Sequence, residues 1–151
     1  MYKPLKLNYN DNALEPFLSA YTVNTHYHEH YLKYLNNLNN LLDKYDLNLA
    51  DIAKNIDMFP ITDRDDILYN VGGVLNHDLY FNNMSPLKNT EPKGKLKEAI
   101  DENFGNFENF KQEFIKTANY LVGSGYTFLV LNDNKLEIIN LSNQETPYSY
   151  N

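Results

Sequence analysis

At 151 residues, with 42% hydrophobic and 14% aromatic content, the chain is long enough to bury about two-thirds of its unfolded surface, which argues against disorder and against a string of modules. A formal net charge of -7 argues against nucleic acid or an anionic membrane as a partner. Cysteine is absent, which removes disulfides, thiolate ligands and thiol nucleophiles and fits a reducing, cytoplasmic compartment.

In chain order, a short irregular arm leads to Pro16, a residue suited to the first turn of a helix. From there to about Asp43 the apolar spacing is helical, with Leu32, Leu35, Leu38, Leu41 and Leu42 at steps of three and four. A short helix is expected around Leu49–Ile56, with a break at Pro60. A second long helix is predicted from an N-cap at Thr62 or Asp63 to about Asn83, with Ile67, Val71, Val74 and Leu75 as its buried stripe. Lys88–Gly94, with Pro92 and Gly94, reads as the boundary between halves. Helices are expected over Lys95–Asn103 and Phe107–Leu121, with Asn106 as N-cap of the latter and Gly123-Ser124-Gly125 as its stop. Tyr126–Leu131 and Lys135–Leu141 read as strands joined by Asn132-Asp133-Asn134. The longest apolar stretch, Thr127–Leu131, is far too short to cross a bilayer. The order is α+β with the helices leading. A lone two-stranded hairpin is only marginally stable and needs a third strand or a helix to cover it.

Without cysteine, the four histidines dominate any transition-metal chemistry. His26 and His30 are four apart on one helical face, which Tyr34 continues, while His28 points elsewhere, to solvent. His77 sits on the second helix, one turn after Gly73. The bland readings stand beside the sharp one. Two histidines at this spacing are often a surface pair, and a lone His on an apolar helix is more often a hydrogen-bonded core residue than a ligand. Spacing alone ends at a helical protein in which a two-helix histidine site is one of the open readings. Gly123-Ser124-Gly125 lacks the spacing of a nucleophile elbow, and no phosphate-cradling loop is present.

Several segments taken together go further. Leu14-Glu15-Pro16-Phe17-Leu18-Ser19, then His26-Tyr27 with His30 and Tyr34, closely resemble the first helix of the iron/manganese superoxide dismutases. Asn70-Val71-Gly72-Gly73-Val74-Leu75-Asn76-His77 with Tyr80-Phe81 resembles the second. Gly94, Phe104-Gly105-Asn106-Phe107, Gly123-Ser124-Gly125-Tyr126 and Asn143-Gln144-Glu145-Thr146-Pro147 continue the series in order. The resemblance implies an N-terminal antiparallel helical hairpin over residues 1–87. It also implies an incomplete C-terminal α/β domain over residues 88–151, with a β-hairpin left of a three-stranded sheet. It makes His26 and His77 metal ligands, His30 and Tyr34 the lining of the substrate funnel and proton network, and Gln144 the hydrogen-bond partner of the solvent at the ion. The substrate implied is superoxide. The cofactor is manganese or iron, and the pairing of Gly73 with Gln144 favours manganese. A homodimer is also implied.

The chain departs from the family pattern where an Asp-x-Trp-Glu-His stretch, with the remaining Asp and His ligands, is expected. Tyr126 stands for a usual Trp and Tyr31 for a common His. The expectation is a truncated chain that folds poorly alone and has little activity. A non-catalytic binding or structural relative is the alternative.

Overall fold

The computed structural model describes residues 1–87 and 90–149. They divide into two compact units, Met1–Lys88 with Tyr148–Asn151, and Asn89–Pro147. Lys88 and Asn89, at the start of the expected boundary stretch, and the terminal Tyr150 and Asn151 lie outside the described residues.

In the first unit, the N-terminal arm is pinned to the helices rather than free. The Asn39 amide side chain bonds both backbone polar groups of Tyr2, accepting from its N–H at 2.7 Å and donating to its carbonyl at 3.0 Å. The first helix starts at α1 (Ala20–Thr25), where the Ser19 hydroxyl accepts from the Thr22 amide. Pro16 therefore lies before the helix and not in its first turn; the cap is Ser19. The expected single helix is also interrupted. A π-helical segment (His26–Tyr31), closed by the Leu32 amide bonding the Tyr27 carbonyl five residues back, separates α1 from α2 (Leu32–Leu41). Wide turns of this kind are rare and concentrate at functional sites.

Helix α3 (Leu49–Lys54) is capped by the Asn48 side chain, and α4 (Arg64–Asn83) follows Asp63. Asp63 makes no side-chain cap; its carboxylate instead accepts from the Thr62 hydroxyl. The π segment and α2 together run antiparallel to α4, since His26 meets Phe81 at one end and Tyr34 meets Tyr69 further along. Their shared core is Leu35, Leu38 and Leu42 against Ile67, Val71 and Val74, joined by Ile52 and Phe59. Each such side chain contributes about 1.5–3 kcal/mol on burial, so this hairpin holds the unit together.

In the second unit, α5 (Gly94–Phe104) ends on Gly105, whose φ of 83° is the left-handed conformation that glycine adopts without strain. Asn106 then caps α6 (Phe107–Asn119) by accepting from the Asn109 amide at 2.8 Å. Strands β1 (Gly125–Asn132) and β2 (Lys135–Ser142) pair antiparallel from Gly125↔Ser142 to Asn132↔Lys135. Asn132 belongs to the ladder, so the turn is two residues, Asp133 and Asn134, with φ of 45° and 64°. That double positive φ fits a primed turn, whose twist matches that of the strands. The hairpin is covered on the side of α6: Asn140 donates to the Thr117 carbonyl at 2.6 Å, and the Leu136 amide donates to Asn103 at 3.2 Å. The architecture is therefore α+β, a helical hairpin followed by two helices and an antiparallel β-hairpin. Among the described residues no helix is long and apolar enough to cross a membrane.

Candidate metal centre

The π segment and α4 bring three of the four histidines to one place. The rings of His26 and His77 lie 4.9 Å apart, centroid to centroid, at 77°. Two imidazoles bound to one ion at about 2.1 Å have centroids about 5 Å apart, so the spacing is that of a shared ligand pair. His30 stands 5.9 Å from His26 and 6.1 Å from His77, and Tyr34 lies 5.4 Å from His77. The first unit thus brings His26, His30, Tyr34 and His77 together; helical spacing accounts for the shared face of His26, His30 and Tyr34, and the packing of α4 adds His77. His28 is exposed and outside the group. Gln144 belongs to the second unit, half-buried just beyond β2.

The two candidate ligands are prepared differently from ordinary surface histidines. His77 is 1% exposed. Its Nδ1 lies 2.6 Å from the Gly73 carbonyl one turn back. An acceptor there holds the proton on Nδ1, leaving the Nε2 lone pair for another partner, and fixes the ring. Burial pushes this imidazole down to about 4; the Gly73 carbonyl opposes the shift, and His26 and His30 add to it. Burial also lowers His26, helped by His30. Both rings are therefore neutral at physiological pH, the form a metal ligand requires. Tyr80 and Phe81, 4.9 and 5.2 Å from His26, supply the apolar wall.

Gly73 explains how Tyr34 enters the group. A Cβ on Gly73 would lie 3.0 Å from the Tyr34 Cβ and closer still to Cγ and Cδ1 of its ring. The missing side chain is the space the tyrosine occupies.

Sequence reasoning missed a second polar cluster behind the ligands. Tyr31, 0% exposed, accepts the Leu5 amide at 2.7 Å and hydrogen-bonds the Asp78 carboxylate. Tyr27 donates to the Leu5 carbonyl. Burial raises both Tyr31 and Asp78 above their ordinary values. The signal available in the sequence was the pairing of Tyr27 and Tyr31 with an acidic residue directly after His77.

The residues present fit a metal ion as a pair of imidazole donors. Two neutral imidazoles converge with the His77 tautomer fixed. Among the described residues no group of three or more His, Cys, Asp or Glu side chains is arranged to hold an ion.

Residues 1–85 match the iron/manganese superoxide dismutase alpha-hairpin domain, and residues 92–151 match the C-terminal domain of the same family. Proteins named superoxide dismutase [Mn/Fe] 2 from Staphylococcus aureus strains N315, MW2 and USA300 are each 38% identical over 149 residues. The match covers 97% of this chain and 74% of each of those proteins. With both halves of the family pattern matched and two imidazoles meeting between π segment and α4, this chain belongs to the iron/manganese superoxide dismutases.

Proposed function

We propose that the chain disproportionates superoxide at a manganese or iron ion held in part by His26 and His77. The observation that carries this reading is the 4.9 Å approach of two imidazoles from different helical elements, His26 half-buried and His77 buried and locked by the Gly73 carbonyl. A manganese or iron ion held there would supply the one-electron chemistry that oxidising one superoxide to oxygen and reducing the next to peroxide requires. The protein's part is to keep both imidazoles neutral by burial, to orient His77 through Nδ1, and to place a protonatable phenol, Tyr34, beside them. His30, exposed and next to Tyr34, lines the approach. Gln144 is assigned to hydrogen-bonding the solvent at the ion, which tunes the preferred oxidation state. Gly73 packed against Tyr34, together with a glutamine at 144, supports manganese over iron. In this reading residues 1–87 form the ligand-bearing hairpin domain and 88–151 the C-terminal domain. The protein acts in the cytoplasm as a homodimer.

A second reading, a non-catalytic binding or structural relative, is favoured by one observation: the described residues assemble two imidazoles and no larger ligand group. The purified chain, refolded with manganese or iron and dialysed, separates the two. Elemental analysis and a superoxide-removal assay are expected to show weakly retained ion and low turnover, with both lost in His26→Ala and His77→Ala. A folded chain that retains no ion and removes no superoxide sinks the first reading and leaves the second.

A further inference from the structure

Tyr69, Gly73 and His77 stand at successive turns of α4, four residues apart, and so form one ridge. Tyr34 lies along that ridge. Its ring fills the space over Gly73, its centroid is 5.4 Å from His77, and its hydroxyl stands 3.4 Å from the hydroxyl of Tyr69. The two phenol rings meet edge to face, 5.6 Å apart at 63°, the arrangement that aromatic pairs prefer. The two tyrosines differ in access to water: Tyr34 is 8% exposed and Tyr69 50% exposed.

We propose that Tyr69 is a positioning residue for Tyr34: its half-exposed hydroxyl fixes the orientation of the buried Tyr34 hydroxyl and joins it to solvent. The inference rests on the dismutase reading for its functional consequence, and on the contact alone for its structural one. Peroxide formation takes two protons for each peroxide, and Tyr34 is enclosed by the ridge on one side. When the Tyr34 hydroxyl gives up a proton to the reduced dioxygen, its oxygen takes the Tyr69 hydroxyl proton and Tyr69 takes one from water. Each phenol ends as it began, and one proton has moved from solvent to product with no net electron passing through either ring. A hydroxyl contact of 3.4 Å is long for a hydrogen bond, and catalytic contacts often tighten only in the complex with substrate.

The test is Tyr69→Phe, which removes one oxygen and keeps the ring pair. In metal-free protein carrying tyrosine labelled with carbon-13 at Cζ, the Tyr34 resonance is assigned by its loss in Tyr34→Phe. It is expected to shift in Tyr69→Phe; an unmoved resonance overturns the proposal. In the manganese-loaded chain, kcat is expected to fall several-fold in Tyr69→Phe with kcat/KM and metal content unchanged, because substrate capture does not use the hydroxyl. A moved resonance with kcat unchanged overturns the solvent link. If the parent chain itself removes no superoxide while the resonance moves, the dismutase reading falls and the placement of Tyr34 by Tyr69 stands.

Discussion

A single absent side chain decides where Tyr34 can lie. With glycine at 73 the phenol ring packs directly on the α4 backbone; with any Cβ there, the tyrosine's own Cβ is 3.0 Å away and its ring atoms nearer. Overpacking of this kind typically costs about 1–3 kcal/mol. Gly73→Ala is therefore expected to lower the unfolding free energy by about that amount, even though alanine is the better helix former by about 1 kcal/mol. Urea unfolding measures the balance, and a variant as stable as the parent would contradict the packing described. The residue scale also shows where sequence reading stops. His26 and His77 were readable as one alternative among several, because helical period places them on faces. That they meet is a tertiary fact, and so are the Tyr31–Asp78 bond and the Tyr34–Tyr69 contact. Tyr31 looked like a mild replacement for histidine; it is instead a fully enclosed phenol tying the N-terminal arm to α4.

At the level of elements, most of the fold was legible because its punctuation is local. Asn106, Gly105 and the Asp133-Asn134 turn each act through backbone geometry a few residues long. The start of the first helix was misjudged at Pro16, since a Ser-x-x-Thr cap three residues later competed and won. The π segment left no trace in the apolar spacing, which α2 alone satisfies. The hairpin's support is also tertiary. Asn140 accepts from the Thr127 hydroxyl across the strands at 2.7 Å and donates to the Thr117 carbonyl of α6 at 2.6 Å. Asn140→Ala removes both of these hydrogen bonds, the Thr117 carbonyl keeping the Tyr120 amide, a loss of about 1–3 kcal/mol. Thermal unfolding should show it as a lowered midpoint; no change would mean the strands hold α6 by apolar contact alone.

For the molecule as a whole, the buried imidazole of His77 couples folding to pH. His77 is held at about 4 in the folded chain against about 6.5 in an unfolded one. The unfolded state therefore takes up this proton first as pH falls. The stability associated with a neutral His77 is complete above pH of about 6.5 and is lost progressively toward about 4, up to about 3 kcal/mol. Asp78, raised by burial, works in the opposite sense, since its folded form holds a proton that the unfolded chain has given up. Comparing metal-free parent with His77→Gln isolates the histidine. The stability gap between them is expected to change by up to that amount between pH 7 and pH 4, as chemical unfolding at each pH would measure. A constant gap would show that the ring is not enclosed as described. Both units were foreseen as types, helices first and a hairpin last, because composition and period carry that much. The cover that α5 and α6 give the hairpin was not foreseen, because two asparagine side chains reaching other elements leave no periodic signature.

The wide turn at His26–Tyr31 has a consequence for everything before it. Closing a helix five residues back instead of four is equivalent to slipping one residue into the spiral, so the preceding turn is rotated by about 100° relative to an unbroken α-helix. Val23 faces inward and Asn24 reaches the Asp11 carboxylate only in that rotated phase. Removing any one residue from the wide turn would swing α1 to a different compass bearing against the arm that Asn39 holds, parting Asn24 from Asp11 while leaving Leu35 and Leu38 seated. The chain's N-terminal quarter is in effect indexed by a single dislocation.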